Sequence, residues 1–284
     1  MNYRHSFHAG NFADVMKHVV LTRVLEYLKH KDKAFRVIDT HAGAGMYDLG
    51  SLEAEKTGEW RGGVGRLEGV RFEADVAELL APYLDAVAAA RAHDRFYPGS
   101  PWIARRLMRR QDRLSAIELH PQDVKALGRL FAGDVQVRVA ELDGWLAMGA
   151  HVPPKEKRGL VLVDPPFEKE GEFARMLDGA LRAHRRWAGG LQALWYPIKD
   201  RSAVEAFRRG LAASGIPKIL DLRLFVRNNG DGPTFDGSGM IVINPPFVLE
   251  AEMRKLLPAL AEVLRVDNAG GSEVAWLARP SSDT

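Results

Sequence analysis

Residues 159–167 read Gly-Leu-Val-Leu-Val-Asp-Pro-Pro-Phe. Residues 160–163 form a short, uninterrupted run of branched apolar side chains, which is typical of a strand buried on both faces of a parallel sheet. The strand must end at Asp164, because neither of the prolines that follow can donate a hydrogen bond to a neighbouring strand. Open α/β sheets bind ligands at the carboxyl ends of their strands, so this pattern predicts a functional carboxylate at that edge.

Residues 164–167 resemble the Asp/Asn-Pro-Pro-aromatic motif of S-adenosylmethionine-dependent methyltransferases that act on exocyclic amino groups. Such a nitrogen is a poor nucleophile, because its lone pair is delocalised into the ring. The carboxylate of Asp164 and the backbone carbonyl of Pro165 could both accept hydrogen bonds from it, and Phe167 offers a face on which a flipped base stacks. The alternative is a buried strand that merely ends in a Pro-Pro turn.

The bulk composition narrows the class of protein. The 284 residues correspond to one large domain or two small ones, and 46% of them are hydrophobic, which is enough for a full core. There is no cysteine, so neither a disulfide framework nor a thiolate zinc site is possible. No apolar run reaches the roughly 18 residues of a membrane span, and the N-terminus has no apolar signal-peptide core. We therefore expect a cytoplasmic protein with no membrane partner.

The opening segment, residues 3–12, is unusually aromatic and cationic for a chain terminus. It contains two His, two Phe, a Tyr and an Arg without helical or strand periodicity, which predicts a segment that lies over a base or a cofactor. A metal site at His5, His8 and His18 is the alternative. No carboxylate or fourth ligand stands at a matching spacing, so we expect no metal.

A helix and the first sheet strand follow this segment. Apolar residues at helical spacing predict the helix over residues 13–31, with Asn11 as its N-cap and Lys17 and His18 in its first turns. The strand is predicted at residues 35–38.

A glycine-rich turn, Asp-Thr-His-Ala-Gly-Ala-Gly at residues 39–45, comes directly after that strand. Gly43 and Gly45 let a cofactor approach the backbone closely. The turn departs from the dinucleotide fingerprint, because the third small residue of that pattern would fall at Asp48. It resembles motif I of methyltransferases, which implies that the turn holds S-adenosylmethionine.

Residues 46–96 interrupt the alternation of strands and helices. A segment rich in glycine and charge is followed by a helical pattern over about residues 72–91. Glu118, the next acid that ends a strand, comes much later than the spacing of about 20 residues expected for a ribose-binding acid. We therefore predict an inserted helical subdomain at residues 46–96, and a methyltransferase domain made of residues 1–45 and 97–284.

Polar residues also follow the next two strands. Ser100 is a good N-cap for the helix after the insertion. Glu118 ends a strand at residues 114–117, where it suits two ribose hydroxyls, and Asp143 follows a strand at residues 135–139, where it could accept a hydrogen bond from an adenine amino group. Each acid alone could be only an N-cap or a turn residue. Their register after successive strands favours a cofactor site.

A second Pro-Pro motif, Asn-Pro-Pro-Phe at residues 244–247, competes with the first. Three more strands are predicted at residues 191–196, 218–226 and 240–243. The last two are joined by a loop without a helical pattern, which suits an antiparallel pair. The resemblance to methyltransferases implies the strand order 3-2-1-4-5-7-6 with strand seven antiparallel. Asn244 would then lie at the opposite edge from the cofactor, which leaves Asp164 as the catalytic residue.

With these pieces in order, the chain resembles the bacterial 23S ribosomal RNA adenine-N6 methyltransferase family called RlmJ over about residues 3–277. The segments that carry the resemblance are residues 3–11, 39–45, 98–105, 118–121, 164–167 and 238–246. The first and last of these are not general methyltransferase features. The resemblance implies a Rossmann-like class I methyltransferase sheet of seven strands with an inserted helical subdomain.

The resemblance also implies functions for particular residues. S-adenosylmethionine would be contacted by His18, His41, Ser100, Glu118, Asp143 and Gly144, and we add Lys17, Gly43 and Gly45 to that predicted site. Asp164 would be the catalytic acceptor, helped by Pro165 and Phe167, and Tyr3 would lie against the 23S RNA substrate. Phe167 stands where the family motif often has Tyr, which removes a hydroxyl but keeps the stacking face. The resemblance further implies a monomer whose residues 1–12 close over the site.

Three other functions remain open at this point. The same chemistry could act on DNA, although the sequence contains no obvious duplex-reading module. A non-catalytic RNA-binding assembly factor could share the fold, although the intact Asp164 and glycine turn argue against it. A NAD-dependent oxidoreductase is disfavoured because the third glycine of its fingerprint is missing.

Overall fold

The computed structural model describes residues 5–92, 95–227, 234–268 and 270–280. Within these ranges the strands are β1 (Arg36–Asp39), β2 (Met46–Asp48), β3 (Phe96–Pro98), β4 (Arg113–Glu118), β5 (Val137–Glu141), β6 (Gly159–Val163), β7 (Leu191–Ile198), β8 (Ile219–Phe225), β9 (Gly237–Ile243) and β10 (Gly271–Ala278). The helices are α1 (Phe12–Lys29), α2 (Leu52–Thr57), α3 (Ala74–Ala90), α4 (Ser100–Leu107), α5 (Pro121–Leu130), α6 (Gly144–Ala150), α7 (Glu172–Arg186), α8 (Arg201–Ala212) and α9 (Leu249–Leu264). No helix in the described ranges is long and apolar enough to cross a membrane.

In the part of the chain that the structure describes, eight strands form one sheet in the order β10-β8-β9-β7-β6-β1-β4-β5. The five neighbouring strands at one side of the sheet are parallel, in the order β5, β4, β1, β6 and β7. Strand β9 is antiparallel to both of its neighbours, β7 and β8. If β2, β3 and β10 are left out and the other seven strands are numbered 1 to 7 in chain order, the sheet read from β5 to β8 has the order 3-2-1-4-5-7-6. This is the predicted order, so the predicted fold class is confirmed. The sheet has one strand more than the predicted seven, because β10 pairs antiparallel with β8 and adds an edge. The side chains of β10 are mostly half-buried. The apolar run Val-Ala-Trp-Leu-Ala at residues 274–278 was the sequence signal for this strand, and the prediction missed it.

The central strand β6 explains the continuous apolar run in the sequence. All five of its residues are buried, and alternate side chains enter two different cores. Leu160 and Leu162 pack on the face covered by α1, α3, α4 and α9. Val161 and Val163 pack on the face covered by α6, α7 and α8. A strand with helices on both sides has no polar face to show, as the sequence predicted.

The segment at residues 46–96 contains α2, α3, three-residue strand β2 and two short 3-10 turns. Strand β2 pairs antiparallel with β3, which begins at the last residue of the segment, Phe96. The buried side chains of α3, including Leu80 and Tyr83, belong to the same core as α1 and α9. The helical character of the segment is thus present, whereas its separation as a subdomain at residues 46 and 96 stays a prediction.

The two Pro-Pro motifs lie at opposite edges of the sheet. Asp164 follows β6 at the carboxyl edge of the parallel strands, and Asn244 follows β9, which runs the other way. The amide of Asn244 donates to the carbonyl oxygens of Ala188 at 2.7 Å and Gly190 at 2.8 Å. Asn244 therefore ties the strand end to the loop before β7. The assignment of this second motif to the edge away from the glycine turn was correct.

Candidate active site

Three cavities meet at the carboxyl edge of the sheet, and Pro166 lines all of them. The central cavity, of about 590 Å³, is lined by residues that include Lys17, His18, His41, Gly43, Ser100, Glu118 and Asp164. The outer cavity, of about 540 Å³, is lined by residues that include His41, Glu118, Leu119, Asp143, Gly144, Trp145 and Glu172. The aromatic cavity, of about 750 Å³, is lined by residues that include His5, His8, Asp164, Phe167, Trp195 and Phe235.

The glycine turn is fixed to the end of β4 by a carboxylate. One oxygen of Glu118 accepts from the backbone N–H of Gly43 at 2.8 Å, and the other accepts from Leu119 and His120 at 2.7 Å each. Gly43 lines the central cavity, but Gly45 does not. A Cβ at Gly45 would approach the side chains of α5 to 2.7 Å, so this glycine allows the turn to pack against that helix.

Two histidines of the central cavity, buried His18 and half-buried His41, are neutral. Burial lowers the pKa of His18 well below its ordinary value, and it lowers the pKa of His41 to about 4. Nδ1 of His18 is 2.8 Å from the hydroxyl of Tyr97, whereas Nε2 is buried without a hydrogen-bond partner in the described part of the chain. A neutral imidazole nitrogen without a partner, in the wall of a cavity, can bind a polar ligand.

Ser100 does not have the predicted capping function. The helix begins at Ser100 itself, Gly99 is the N-cap, and no side chain caps this end. The Ser100 hydroxyl instead donates to Oδ2 of Asp39 at 2.6 Å. The hydroxyl supplies a hydrogen bond to a buried carboxylate oxygen, and this bond stabilises the fold more than a side-chain cap on the helix would. Asp39 is fully buried, and burial raises its pKa to about 7, with Asp164 adding to the rise.

Replacing Asp39 with asparagine is expected to remove a pH-dependent loss of stability. The folded-state pKa of Asp39, about 7, lies above its ordinary value of 3.8. The folded protein therefore keeps a proton that the unfolded chain releases, so this carboxyl makes the free energy of unfolding fall as pH rises between those values. Urea denaturation of both proteins from about pH 5 to about pH 8 would measure it. The stability of Asp39→Asn relative to wild type should rise with pH up to about 7, and a constant difference would contradict the prediction.

A buried chain of charges connects α1 to Asp164. The ammonium of Lys17 lies 2.7 Å from Oδ1 of Asp14 and 2.5 Å from Oδ2 of Asp164. Oδ2 of Asp14 accepts from the backbone of Gly10 at 2.8 Å and lies 2.9 Å from Nε2 of His5. Burial alone would lower the pKa of Lys17, but Asp14 and Asp164 raise it above its ordinary value. Burial opposes the ionised form of Asp14, yet His5 and Lys17 hold its pKa well below the usual range.

Aromatic rings surround the position beyond Asp164. Phe167 has a left-handed backbone conformation with φ of 49°, which is rare for a bulky residue and is found chiefly at functional sites. Its ring packs edge-on against Phe173 at 4.9 Å and Trp195 at 5.8 Å. Trp195 lies on β7, the strand beside β6, and its indole N–H donates to Ser238 at 2.9 Å. Tyr3, the predicted RNA contact, lies outside the described residues.

Asp143 and Gly144 lie in the wall of the outer cavity. Asp143 is the N-cap of α6, and its Oδ1 accepts from the backbone of Trp145 at 2.8 Å, so one oxygen serves the helix. A Cβ at Gly144 would lie 2.3 Å from the carbonyl oxygen of Thr40 and 2.7 Å from the ring of His41. Only glycine allows the chain to pass this close to the turn after β1.

The structure thus gathers eight of the predicted cofactor residues around two joined cavities, namely Lys17, His18, His41, Gly43, Ser100, Glu118, Asp143 and Gly144. The sequence analysis missed that Asp14 and His5 extend this cluster and that Trp195 and Phe235 line the aromatic cavity. The spacing of Asp14 and Lys17 by three residues on one helix face was the available signal for the first. The position of Trp195 on the strand next to Asp164 was the signal for the second.

A doubly covered sheet of this order, with cavities at the carboxyl ends of its strands and Asp-Pro-Pro-Phe at their meeting point, defines a Rossmann-like class I methyltransferase. The chain belongs to the family RsmJ, described as ribosomal RNA large subunit methyltransferase D, RlmJ, whose model matches residues 32–278. The resemblance found in the sequence is thereby confirmed.

Individual relatives agree with this family. A protein of Escherichia coli (strain K12) named ribosomal RNA large subunit methyltransferase J is 43% identical over 279 residues, which is 98% of this chain and 99% of the relative. A protein of the same name from Haemophilus influenzae is 42% identical over 98% of this chain and 99% of its own. A crystal structure of a Legionella pneumophila protein is 31% identical, with a TM-score of 0.85, and the match covers 94% of this chain and 98% of that one.

Proposed function

We propose that this protein transfers a methyl group from S-adenosylmethionine to the exocyclic N6 of one adenine in 23S ribosomal RNA. The observation that carries the proposal is the position of Asp164, which lines both the central and the aromatic cavity. A carboxylate between a cavity of polar groups and a cavity of aromatic groups can face a cofactor and a base at once. The names of the two relatives support large-subunit ribosomal RNA as the substrate.

The residues present fit S-adenosylmethionine as the cofactor. The unpartnered Nε2 of His18 in the central cavity provides a site for a polar group. The indole face of Trp145 and the apolar side chain of Leu119 in the outer cavity suit an aromatic base. Bound there, the cofactor supplies an electrophilic methyl group. The residues proposed to hold it are Lys17, His18, His41, Gly43, Ser100, Glu118, Asp143 and Gly144, with Gly45 shaping the turn.

The catalytic contribution of this chain is hydrogen bonding and positioning. Lys17 holds Oδ2 of Asp164, which leaves Oδ1 to accept a hydrogen bond from the adenine amino group. The carbonyl of Pro165 would accept the second amino hydrogen, and Phe167 would stack on the base. A neutral amine need not lose its proton before it attacks, so Asp164 acts mainly as an acceptor that raises electron density on nitrogen. We further propose that residues 1–12, with Tyr3, close over the site.

Three further properties belong to this proposal. The protein would act in the cytoplasm, together with its ribosomal RNA substrate. It would act as a monomer, as the resemblance to the family implies. It would need no metal, because hydrogen bonding and the sulfonium charge of the cofactor are sufficient for this transfer.

The proposal is tested by methyl transfer from labelled S-adenosylmethionine to 23S ribosomal RNA that lacks modifications, with matched duplex DNA as the control. Label recovered as N6-methyladenosine in the RNA is the expected result. Label in DNA alone would keep the mechanism and replace the substrate. Label in neither, with naked RNA and with immature ribosomal particles, would favour a non-catalytic RNA-binding factor.

A further inference from the structure

A carboxylate that the proposed reaction does not use stands in the outer cavity. Glu172 begins α7, and its side chain is only 5% exposed. Oε1 lies 3.5 Å from Nη1 of Arg175, whereas Oε2 is buried without a hydrogen-bond partner in residues 5–92, 95–227, 234–268 and 270–280. A buried acceptor without a donor loses its hydration and gains nothing in return. Its position in a cavity wall therefore calls for a donor from a ligand.

The rest of the outer cavity indicates what kind of ligand carries that donor. Trp145, Leu119 and Pro166 provide apolar surface, which suits the faces of a flat ring. Four carboxylates line this cavity. Glu118 already accepts backbone hydrogen bonds with both oxygens, and Glu168 is exposed to solvent. Asp143 gives one oxygen to the backbone of Trp145, so Asp143 and Glu172 are the two that can offer an oxygen to a buried ligand. Apolar faces beside these two carboxylates match an aromatic heterocycle that bears an amino group.

We infer that Glu172 accepts a hydrogen bond from the exocyclic amino group of the cofactor's adenine and makes this site selective for adenine over hypoxanthine. The inference rests on the proposed function, because it takes S-adenosylmethionine as the cofactor. An amino group has two hydrogens, so Asp143 and Glu172 can each accept one. Hypoxanthine carries a carbonyl oxygen in place of the amino group, and that oxygen would face two acceptors with no hydrogen between them.

Calorimetric binding of two product analogues tests this inference without any turnover. S-adenosylhomocysteine carries adenine, and S-inosylhomocysteine carries hypoxanthine at the same position. Wild-type protein should prefer the adenine compound by at least about 10-fold, since a buried charged acceptor contributes about that much to a hydrogen bond. Glu172→Gln should reduce this preference by about 5-fold or more, because the amide offers a donor to the carbonyl oxygen.

The matched control is Glu168→Gln, which removes the same charge from an exposed position in the same cavity. Its preference should stay within about 2-fold of wild type, because an exposed carboxylate keeps its hydration whichever base is bound. Glu172→Asp provides a second variant that withdraws the carboxylate by one methylene, and it should also lose part of the preference.

Several outcomes would overturn the inference. Equal binding of both compounds by the wild-type protein would do so without any variant. An unchanged preference in Glu172→Gln or in Glu172→Asp would do so as well, because a merely structural Glu172 alters the thermal unfolding temperature and not the ratio of affinities. Failure of the wild-type protein to bind S-adenosylhomocysteine at all would overturn the proposed function and the inference together, so the two failures are distinguishable.

Discussion

Replacing Asp164 with asparagine is expected to lower kcat for methyl transfer by about 100-fold or more and to leave the affinity for S-adenosylhomocysteine nearly unchanged. The reason lies in the number of acceptor oxygens. The wild-type carboxylate gives Oδ2 to Lys17 at 2.5 Å and keeps Oδ1 for the substrate. An asparagine has one acceptor oxygen, which the ammonium of Lys17 would take. The amide NH2 would then face the adenine NH2, donor against donor.

The measurement is single-turnover methylation with saturating RNA and cofactor, together with calorimetric binding of S-adenosylhomocysteine. Single turnover removes product release from the rate, so the change reports on the chemical step. The expected pattern is a large fall in rate with an affinity within about 3-fold of wild type, since the variant removes an interaction made with the reacting nitrogen and not one made with the cofactor. Near-normal turnover would show that Asp164 is not the acceptor.

The second Pro-Pro motif offers a matched control on the same chain. Asn244→Ala removes two hydrogen bonds to backbone carbonyls, so the free energy of unfolding should fall by roughly 1–3 kcal/mol. The rate of methyl transfer by the folded protein should not change, because Asn244 lies at the other edge of the sheet. An equal loss of rate in both variants would mean that Asp164→Asn acts through stability alone.

The fold could be predicted because its signals are local. Strand β6 is buried on both faces and is ended by two prolines, and a stretch of nine residues is enough to predict both features. Asp39, Glu118 and Asp164 each follow a strand, and parallel strands bring such residues to one edge without further information. The strand order itself came from the resemblance to methyltransferases, and the hairpin of β8 and β9 agreed with it.

Details of the site could not be predicted because they depend on contacts between distant residues. Lys17 and Asp164 are 147 positions apart, and neither neighbourhood contains a signal for the other. Ser100 looks like a helix cap in sequence, but in the structure its hydroxyl donates to the buried carboxylate of Asp39. A hydrogen bond to a carboxylate is stronger than the bond that a capping hydroxyl accepts from a backbone N–H. Such preferences follow from which groups burial brings together.

Replacing Lys17 with methionine is expected to lower the free energy of unfolding by about 3–5 kcal/mol, because it leaves two carboxylates without their shared cation in a site that water barely reaches. Asp14 is 2% exposed and Asp164 is 14% exposed. Methionine keeps most of the length of the lysine stem, so the loss reports mainly on charge. Turnover should also fall strongly, since the carboxylate of Asp164 loses the contact that fixes its orientation.

Urea denaturation of wild type and Lys17→Met measures the first effect, and its pH dependence gives a further check of the cause. In the variant, burial raises the pKa of Asp14 above that of the unfolded chain, because the ammonium of Lys17 no longer opposes the effect of burial. The folded variant then binds protons that its unfolded chain releases, so its stability falls as pH rises. The deficit relative to wild type should therefore be smaller near pH 5 than near pH 7 by a measurable margin, about 1 kcal/mol.

A double variant separates the charge from the packing of the lysine stem. Lys17→Met with Asp164→Asn removes one of the two uncompensated charges, so it should be more stable than Lys17→Met alone. Lys125→Met, at an exposed lysine on α5, is the control for replacing a lysine by methionine and should change the free energy of unfolding by less than about 0.5 kcal/mol. A double variant less stable than Lys17→Met would show that Asp164 stabilises this cluster by something other than its pairing with Lys17.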